Sequence, residues 1–137
     1  MFVILIRHAE REPAGTDPSL SAAGRRRAKL LADMLADASI GAIFTSEFKR
    51  TKETAAPIAQ RLHLAPVQID DDVSTGAQQV RAAGDRVLVV GHSDTVPALI
   101  AQLGGPQVTI PDAAFDRFFV LQVHAASAEL LPMKYVA

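Results

Sequence analysis

The sequence predicts a three-layer α/β domain, a mostly parallel sheet between helices with an antiparallel C-terminal edge. Short β-rich apolar runs, clearest at Phe2 to Ile6 and Arg86 to Val90, supply the strands. Stretches of roughly ten to fifteen residues with helical periodicity separate them, the pattern of right-handed βαβ units. A late pair of β-rich segments, joined by the short Ala125-Ala126-Ser127 turn, adds the antiparallel edge. The chain has 137 residues. Domains of ~150 residues are typical, so a single domain over 1–137 is expected, with no room for a second.

Phe2 to Ile6 is a continuous apolar run bounded by charge, as in a strand buried on both faces. After a loop carrying Pro13, Gly15 and Pro18, Ser21 is placed to cap a helix running to about Asp37. Its expected apolar face is Ala23, Leu30, Leu31, Met34 and Leu35, with Arg25, Arg26 and Lys29 in water. Ala42 to Thr45 is a second strand. Ser46 is the expected N-cap of a second helix with Thr51, Ala55, Ile58, Ala59 and Leu62 on one face. Pro57 conflicts with that pattern: an interior proline costs ~3 kcal/mol or more, so a kink or break is expected there. Val67 to Ile69 reads as a third strand, and Ser74 opens a short helix ending near Gly84. Arg86 to Val90 is the fourth strand, and Val96 to Leu103 a helix that tolerates Pro97 in its first turn and stops at Gly104-Gly105. Phe115 to Val123 and Ala128 to Tyr135 complete the sheet. Pro132 suits an edge strand, because proline cannot donate to a ladder.

Composition narrows the function. Hydrophobic residues make up 49% and charged residues 21%, ordinary for a soluble domain with a real core. Fourteen Lys and Arg against fifteen Asp and Glu give a net charge of -1, which argues against binding nucleic acid through bulk charge. The absence of Cys excludes disulfide frameworks, thiolate zinc sites and Cys nucleophiles. The opening apolar run lacks a basic region and stops at Arg7, too short for a signal peptide or a membrane span. A cytoplasmic location without a membrane partner is the expectation.

In open α/β sheets ligands bind beyond the carboxyl ends of the strands. The first strand delivers Arg7 and His8 there, the second Thr45, Ser46 and then Arg50, and the fourth Gly91, His92 and Ser93. Two guanidiniums and two imidazoles converge. Arginine presents a planar fork that matches phosphate oxygens, and a helix N-terminus near Arg50 adds partial positive charge. Phosphoryl transfer without a metal needs a protein nucleophile and charge neutralisation, and a neutral imidazole nitrogen can be that nucleophile. His8 has the position for attack, and His92 for donating to a phosphoryl oxygen.

These residues carry a family resemblance. Arg7-His8-Ala9-Glu10 resembles the RHG motif of the histidine phosphatase superfamily, which has the phosphoglycerate mutase-like fold. Thr45 to Ala55 resembles its S-x-x-x-R-x-x-x-T-A segment, Gly91-His92-Ser93 its second-histidine motif, and Leu20 to Gly24 its L-[ST]-x-x-G. The motifs fall in order across roughly Met1 to Leu103. The resemblance implies that His8 is the phosphorylated nucleophile, Arg7 and Arg50 the phosphate clamp, and His92 the second imidazole, with no metal or other cofactor. Ala9 stands where the motif has Gly, which needs only a permissible backbone angle. Between Arg50 and His92 there is space for a helix, a strand and another short helix, and not for the long cap of many members. That compact form looks like the small SixA-like phosphohistidine phosphatases. The expected substrate is therefore a phosphorylated small molecule or a phosphohistidine protein. A mutase-type phosphotransferase and a non-catalytic module that binds a phosphorylated ligand are the alternatives.

The general acid is the open position. No Glu stands where the family motif puts one, and Glu10, Asp70, Asp71, Asp72 and Asp94 are candidates. Each has a plainer reading: a loop carboxylate for Glu10, which is equally placed to orient Arg7; a solvated turn for the Asp70 to Asp72 run; a helix cap for Asp94. Gly91 is expected to let the backbone approach a ligand closely. Arg25, Arg26, Arg27 and Lys29 read as a solvated helix face. His63 and His124 fall outside the strand-end set, and Phe115, Phe118 and Phe119 read as core residues of the late strands.

Overall fold

The computed structural model describes residues 1–137. Its element order is β1 (Phe2–Arg7), α1 (Ala22–Leu35), β2 (Ala42–Thr45), α2 (Lys49–Leu62), β3 (Val67–Gln68), α3 (Val73–Arg81), β4 (Arg86–Gly91), α4 (Thr95–Gln102), β5 (Arg117–Val123) and β6 (Ala128–Lys134). The six strands form one sheet in the order β3-β2-β4-β1-β5-β6. β3, β2, β4 and β1 are parallel, while β5 and β6 run antiparallel at one side. This is the expected α/β architecture.

Period-two alternation splits the core between the two faces of the sheet. Val3, Leu5, Val87, Val89 and Leu121 pack with Ala77 and Val80 of α3 and Val96, Leu99 and Ile100 of α4. On the other face Ile4, Ile6, Ile43, Leu88 and Val90 meet Leu31, Ala32 and Leu35 of α1 and Ala55, Ile58 and Ala59 of α2. Fully buried side chains such as Leu5, Ile6 and Leu88 each contribute about 2 kcal/mol through removal from water. No helix is long and apolar enough to cross a membrane.

Register explains why distant residues meet. Ile6 lies opposite Val90, and Val90 opposite Thr45, so β1, β4 and β2 end in one row. Arg7 pairs with Gly91, and the His8 N–H donates to the Gly91 carbonyl at 2.8 Å. β5 enters from the opposite direction, with Phe118 opposite Ile6, so the residues preceding β5 arrive where β1 stops.

Several local expectations are corrected. The buried face of α1 is Gly24, Ala28, Leu31, Ala32 and Leu35, whereas Met34 is 40% exposed and Ala23 and Leu30 are half-buried. Small residues take the inner positions because α1 lies against both α2 and the loop that follows β1. Ser21 caps α1 as expected, accepting from the Gly24 N–H at 3.2 Å. Ser46 does not cap α2: the N-cap is Phe48, and the Ser46 hydroxyl is committed elsewhere. Asp72, not Ser74, caps α3 by accepting from the Thr75 N–H at 2.9 Å. α2 runs unbroken through Pro57. Thr54, Ala55, Ile58 and Ala59 are buried on both sides of it, and that burial outweighs the lost hydrogen bond. β5 begins at Arg117, so Phe115 lies in the preceding loop and is only half-buried.

Among the glycines, Gly24 leaves the least room for a side chain. A Cβ built there would sit 2.0 Å from the Glu10 carbonyl oxygen and 2.9 Å from the Glu10 carbonyl carbon, both of them backbone. Gly24→Ala therefore displaces α1 from the loop after β1. The expected loss of stability is about 3 kcal/mol, read from a urea melt. A variant as stable as the parent would show that this approach is not a close one.

Candidate active site

Arg7, His8, Arg50 and His92 line one open depression of about 550 Å3, together with Arg11, Phe48 and residues 93–95. The His8 and His92 rings lie 5.4 Å apart between centroids, edge to face. Four residues expected to converge from the ends of three strands do so.

Each is held by neighbours that define its chemistry. His8 is 3% exposed, and its Nδ1 lies 2.8 Å from the Ala9 carbonyl oxygen. A carbonyl only accepts, so the ring proton sits on Nδ1 and Nε2 keeps its lone pair. Burial, together with the charges of His92, Arg7 and Arg50, lowers the imidazole from its ordinary 6.5 to about 4, against a smaller opposing effect of the Ala9 bond. His8 is thus neutral at pH 7. Ala9, fully buried, adopts no positive φ and donates its N–H to Thr54 Oγ1 at 2.9 Å, so alanine fits where the motif has glycine. Thr54 in turn donates to the Arg50 carbonyl at 2.7 Å, tying the His8 loop to the first turn of α2.

Arg7 donates through Nη1 to the carbonyls of Asp112 at 2.7 Å and Ala114 at 3.0 Å, and its guanidinium lies 4.1 Å over the Phe115 ring. Arg50 stacks on Phe48 at 4.4 Å. The Nε–H groups of both arginines are buried and have no acceptor in the protein. A buried donor without a partner costs about 1–3 kcal/mol, while both side chains also line the depression, where their charge suits an anion.

The His92 ring is anchored through Nε2, 2.8 Å from Ser46 Oγ. That hydroxyl lies 2.9 Å from Thr51 Oγ1 and accepts from the Phe48 N–H at 3.3 Å. Nδ1 is therefore the ring nitrogen left to face a ligand. Burial and then Arg50 lower the His92 pKa, partly offset by Asp94 and Glu47. Gly91 has a different reason from the one expected. A Cβ there would lie 2.9 Å from Thr95 Oγ1 and 3.1 Å from Val96, so the close approach is that of α4, not of a ligand.

The acid candidates separate clearly. Glu10 is bound to Arg27, with Nε to Oε1 at 2.9 Å and Nη2 to Oε2 at 3.1 Å. Burial pushes its carboxyl up, but the Arg27 bond and charge outweigh that and leave it below the ordinary range. It neither orients Arg7 nor holds a proton to give, and Arg27 is a buried partner rather than part of a solvated face. Asp72 is spent on capping α3, and Asp70 accepts from the Asp72 N–H at 2.8 Å. Asp94 accepts from the Thr95 N–H at 2.9 Å, the expected cap, and also lines the depression. No three His, Cys, Asp or Glu side chains come together to hold a metal ion. His63 and His124 are exposed and lie outside the depression.

Two neighbours were not anticipated as site residues, Phe115 and Phe48 as the stacking partner of Arg50, while Ser46, expected at the end of the second strand, anchors His92 rather than capping α2. Phe115 had a sequence signal only in the antiparallel sense of β5, which places the residues before that strand at this end of the sheet.

His8 also sets a pH signature. Its folded value near 4 lies below the ordinary 6.5, so as pH falls the unfolded chain takes up the proton first. The stability associated with neutral His8 is complete above 6.5, falls between 6.5 and 4, and is fully lost below 4. A titration of the His8 Cε1–H by NMR is expected to show a midpoint near 4; a midpoint at 6.5 would contradict this account of its burial.

The model of the histidine phosphatase superfamily (branch 1) matches residues 3–75. Phosphoserine phosphatase 1 of Hydrogenobacter thermophilus is 41% identical over 75 residues, 50% of this chain and 36% of that protein. The uncharacterized phosphatase PhoE of Bacillus subtilis is 38% identical over 76 residues, 50% of this chain and 39% of that protein. The chain thus spans less than half the length of these curated relatives. Among solved structures, the protein histidine phosphatase SixA complexed with tungstate aligns with TM-score 0.82 at 20% identity, over 98% of this chain and 97% of that one. A putative phosphohistidine phosphatase SixA from Agrobacterium tumefaciens gives 0.77 at 23% identity, over 98% of both chains. At such identities the likeness is one of fold, and it is the fold of SixA, phosphoglycerate mutase-like. The family model covers more than half of the sequence, and the chain belongs to the histidine phosphatase superfamily.

Proposed function

We propose that this chain is a metal-independent phosphatase, hydrolysing a phosphomonoester or phosphohistidine through a phospho-His8 intermediate. The observation that carries the reading is His8 itself: Nδ1 is committed to the Ala9 carbonyl, which leaves the lone pair on Nε2 in a depression lined by the Arg7 and Arg50 side chains. Nε2 attacks phosphorus, and the bond from phosphorus to the leaving group breaks with its electrons going to that group, which takes a proton from solvent water. Arg7, Arg50 and His92 Nδ1 stabilise the charge on the equatorial oxygens. Water then attacks phospho-His8, the P–N bond breaks, its electrons return to Nε2, and inorganic phosphate leaves.

Between Arg50 and His92 the chain builds the rest of α2, then β3, α3 and β4. We read residues 1–137 as one domain with an open site, accessible to a protein side chain as well as to a small molecule. The names of the relatives, phosphoserine phosphatase and SixA, support a phosphatase over a binding module. No carboxylate is assigned as the general acid. A leaving group of low basicity, such as an imidazole, needs less help from one.

The test is turnover of p-nitrophenyl phosphate and phosphoramidate with chelator present, followed by acid-sensitive, alkali-stable phosphoenzyme mapped to His8. Loss of activity in chelator, or label on another residue, would overturn the proposal.

A further inference from the structure

A second cleft, of about 260 Å3, opens beside the depression that holds the two histidines and shares His92, Phe48, Asp94 and Thr95 with it. Its wall is apolar, with buried Leu99 and half-buried Ile69. Around it stand the exposed carboxylates of Glu47, Asp70, Asp71 and Asp94, and no Lys or Arg lines it. The two clefts therefore have opposite electrostatic character although they share a wall. The first presents Arg7, Arg11 and Arg50 and suits a phosphoryl group; the second suits a group that is apolar and not anionic.

We propose that the second cleft receives the body of the leaving group and selects one with an apolar stem and a positive charge, such as an aryl or alkyl ammonium. This rests on the phosphatase reading above and adds the class of substrate to it. A ligand spanning the shared wall places its phosphoryl group against the arginines and its stem against Leu99 and Ile69. A cationic end then meets the carboxylates, whereas a carboxylate or second phosphate on the leaving group meets four like charges. The cleft thereby disfavours phosphorylated hydroxy acids and sugar bisphosphates. The carboxylates are exposed, so the selection weakens as salt is raised.

Three aryl phosphates with the same reacting bond test this: tyramine O-phosphate, 4-ethylphenyl phosphate and 3-(4-phosphonooxyphenyl)propionate. The expected order of kcat/KM is cationic, neutral, anionic, with about tenfold or more between the ends, as expected for several weak charge contacts acting together. The Glu47→Gln/Asp70→Asn/Asp71→Asn variant keeps side-chain oxygens, including the acceptor for the Asp72 N–H, and is expected to collapse the order to near equality. Phosphotyrosine peptides carrying Lys or Glu beside the phosphoresidue form a second arm. A charge preference confined to the free esters marks a small-molecule site, and one shared by the peptides marks a protein side chain.

Equal turnover of the three esters, or an order that survives in the triple variant, overturns the inference while His8-dependent hydrolysis leaves the phosphatase reading intact. No hydrolysis of any of the three, with no phosphoenzyme, removes the phosphatase reading and this inference with it.

Discussion

His8→Ala is expected to lower turnover of any substrate by about 10⁴-fold or more, the scale on which enzymes lose their covalent nucleophile. The substitution leaves Arg7, Arg50 and His92 in place, so phosphate should still bind. In the proposed mechanism it removes the nitrogen that accepts the phosphoryl group. The Nδ1 bond to Ala9 fixes the ring so that Nε2 is the free nitrogen, and burial keeps it unprotonated at pH 7. Because His8 is 3% exposed, the variant also leaves a small cavity. Exogenous imidazole separates the two effects: partial recovery of turnover identifies the missing nucleophile, which a folding defect would not permit. His8→Ala retaining more than a few per cent of activity in a saturating assay would end the proposed mechanism.

Arg50→Ala should cost about 10²–10³-fold in kcat/KM, the range for removing one preorganised donor from a site of developing charge. The Arg50 side chain is held in place by its neighbours. It lies in the first turn of α2, its guanidinium rests on Phe48 at 4.4 Å, and its Nε–H is buried without an acceptor. Arg50→Lys keeps the charge but loses the planar fork and the Nε–H, so it should recover only a small part of the loss. Inhibition by inorganic phosphate should weaken alongside activity in both variants, because the same oxygens are contacted before and during the reaction. A lysine variant with the activity of the parent would show that charge alone, without the directed donor, is what the site uses.

The four cradle residues were legible because each stands just after, or within a helical turn beyond, a strand whose apolar pattern is local. Arg7 and His8 follow an uninterrupted β run, and His92 follows Val89, Val90 and Gly91. The caps were less legible. Ser46, a good N-cap by type, instead meets the His92 ring across the sheet, and Asp72 takes the role assigned to Ser74, since either could bond a first-turn N–H and only loop geometry chooses. Pro57 follows the same logic: its local cost is legible in the sequence, but the burial of residues on both sides of it is set by α1 and the sheet.

By itself the sequence determined the succession of strands and helices, the parallel core of the sheet, and the arrival of two arginines and two histidines at one edge. Those properties follow from periodicities of two and 3.6 residues and from the rule that parallel strands present their carboxyl ends together. Only the tertiary structure decided what holds that site. Arg7 is braced by Asp112, Ala114 and Phe115, and Glu10 is withdrawn from the chemistry by Arg27. Each is a contact between segments remote along the chain. The bracing of Arg7 depends on β5 running antiparallel to β1, which brings the residues before one strand to the end of the other. The short turn after β5 makes β5 and β6 antiparallel to each other but does not say which of them lies beside β1, so that placement had to come from the fold.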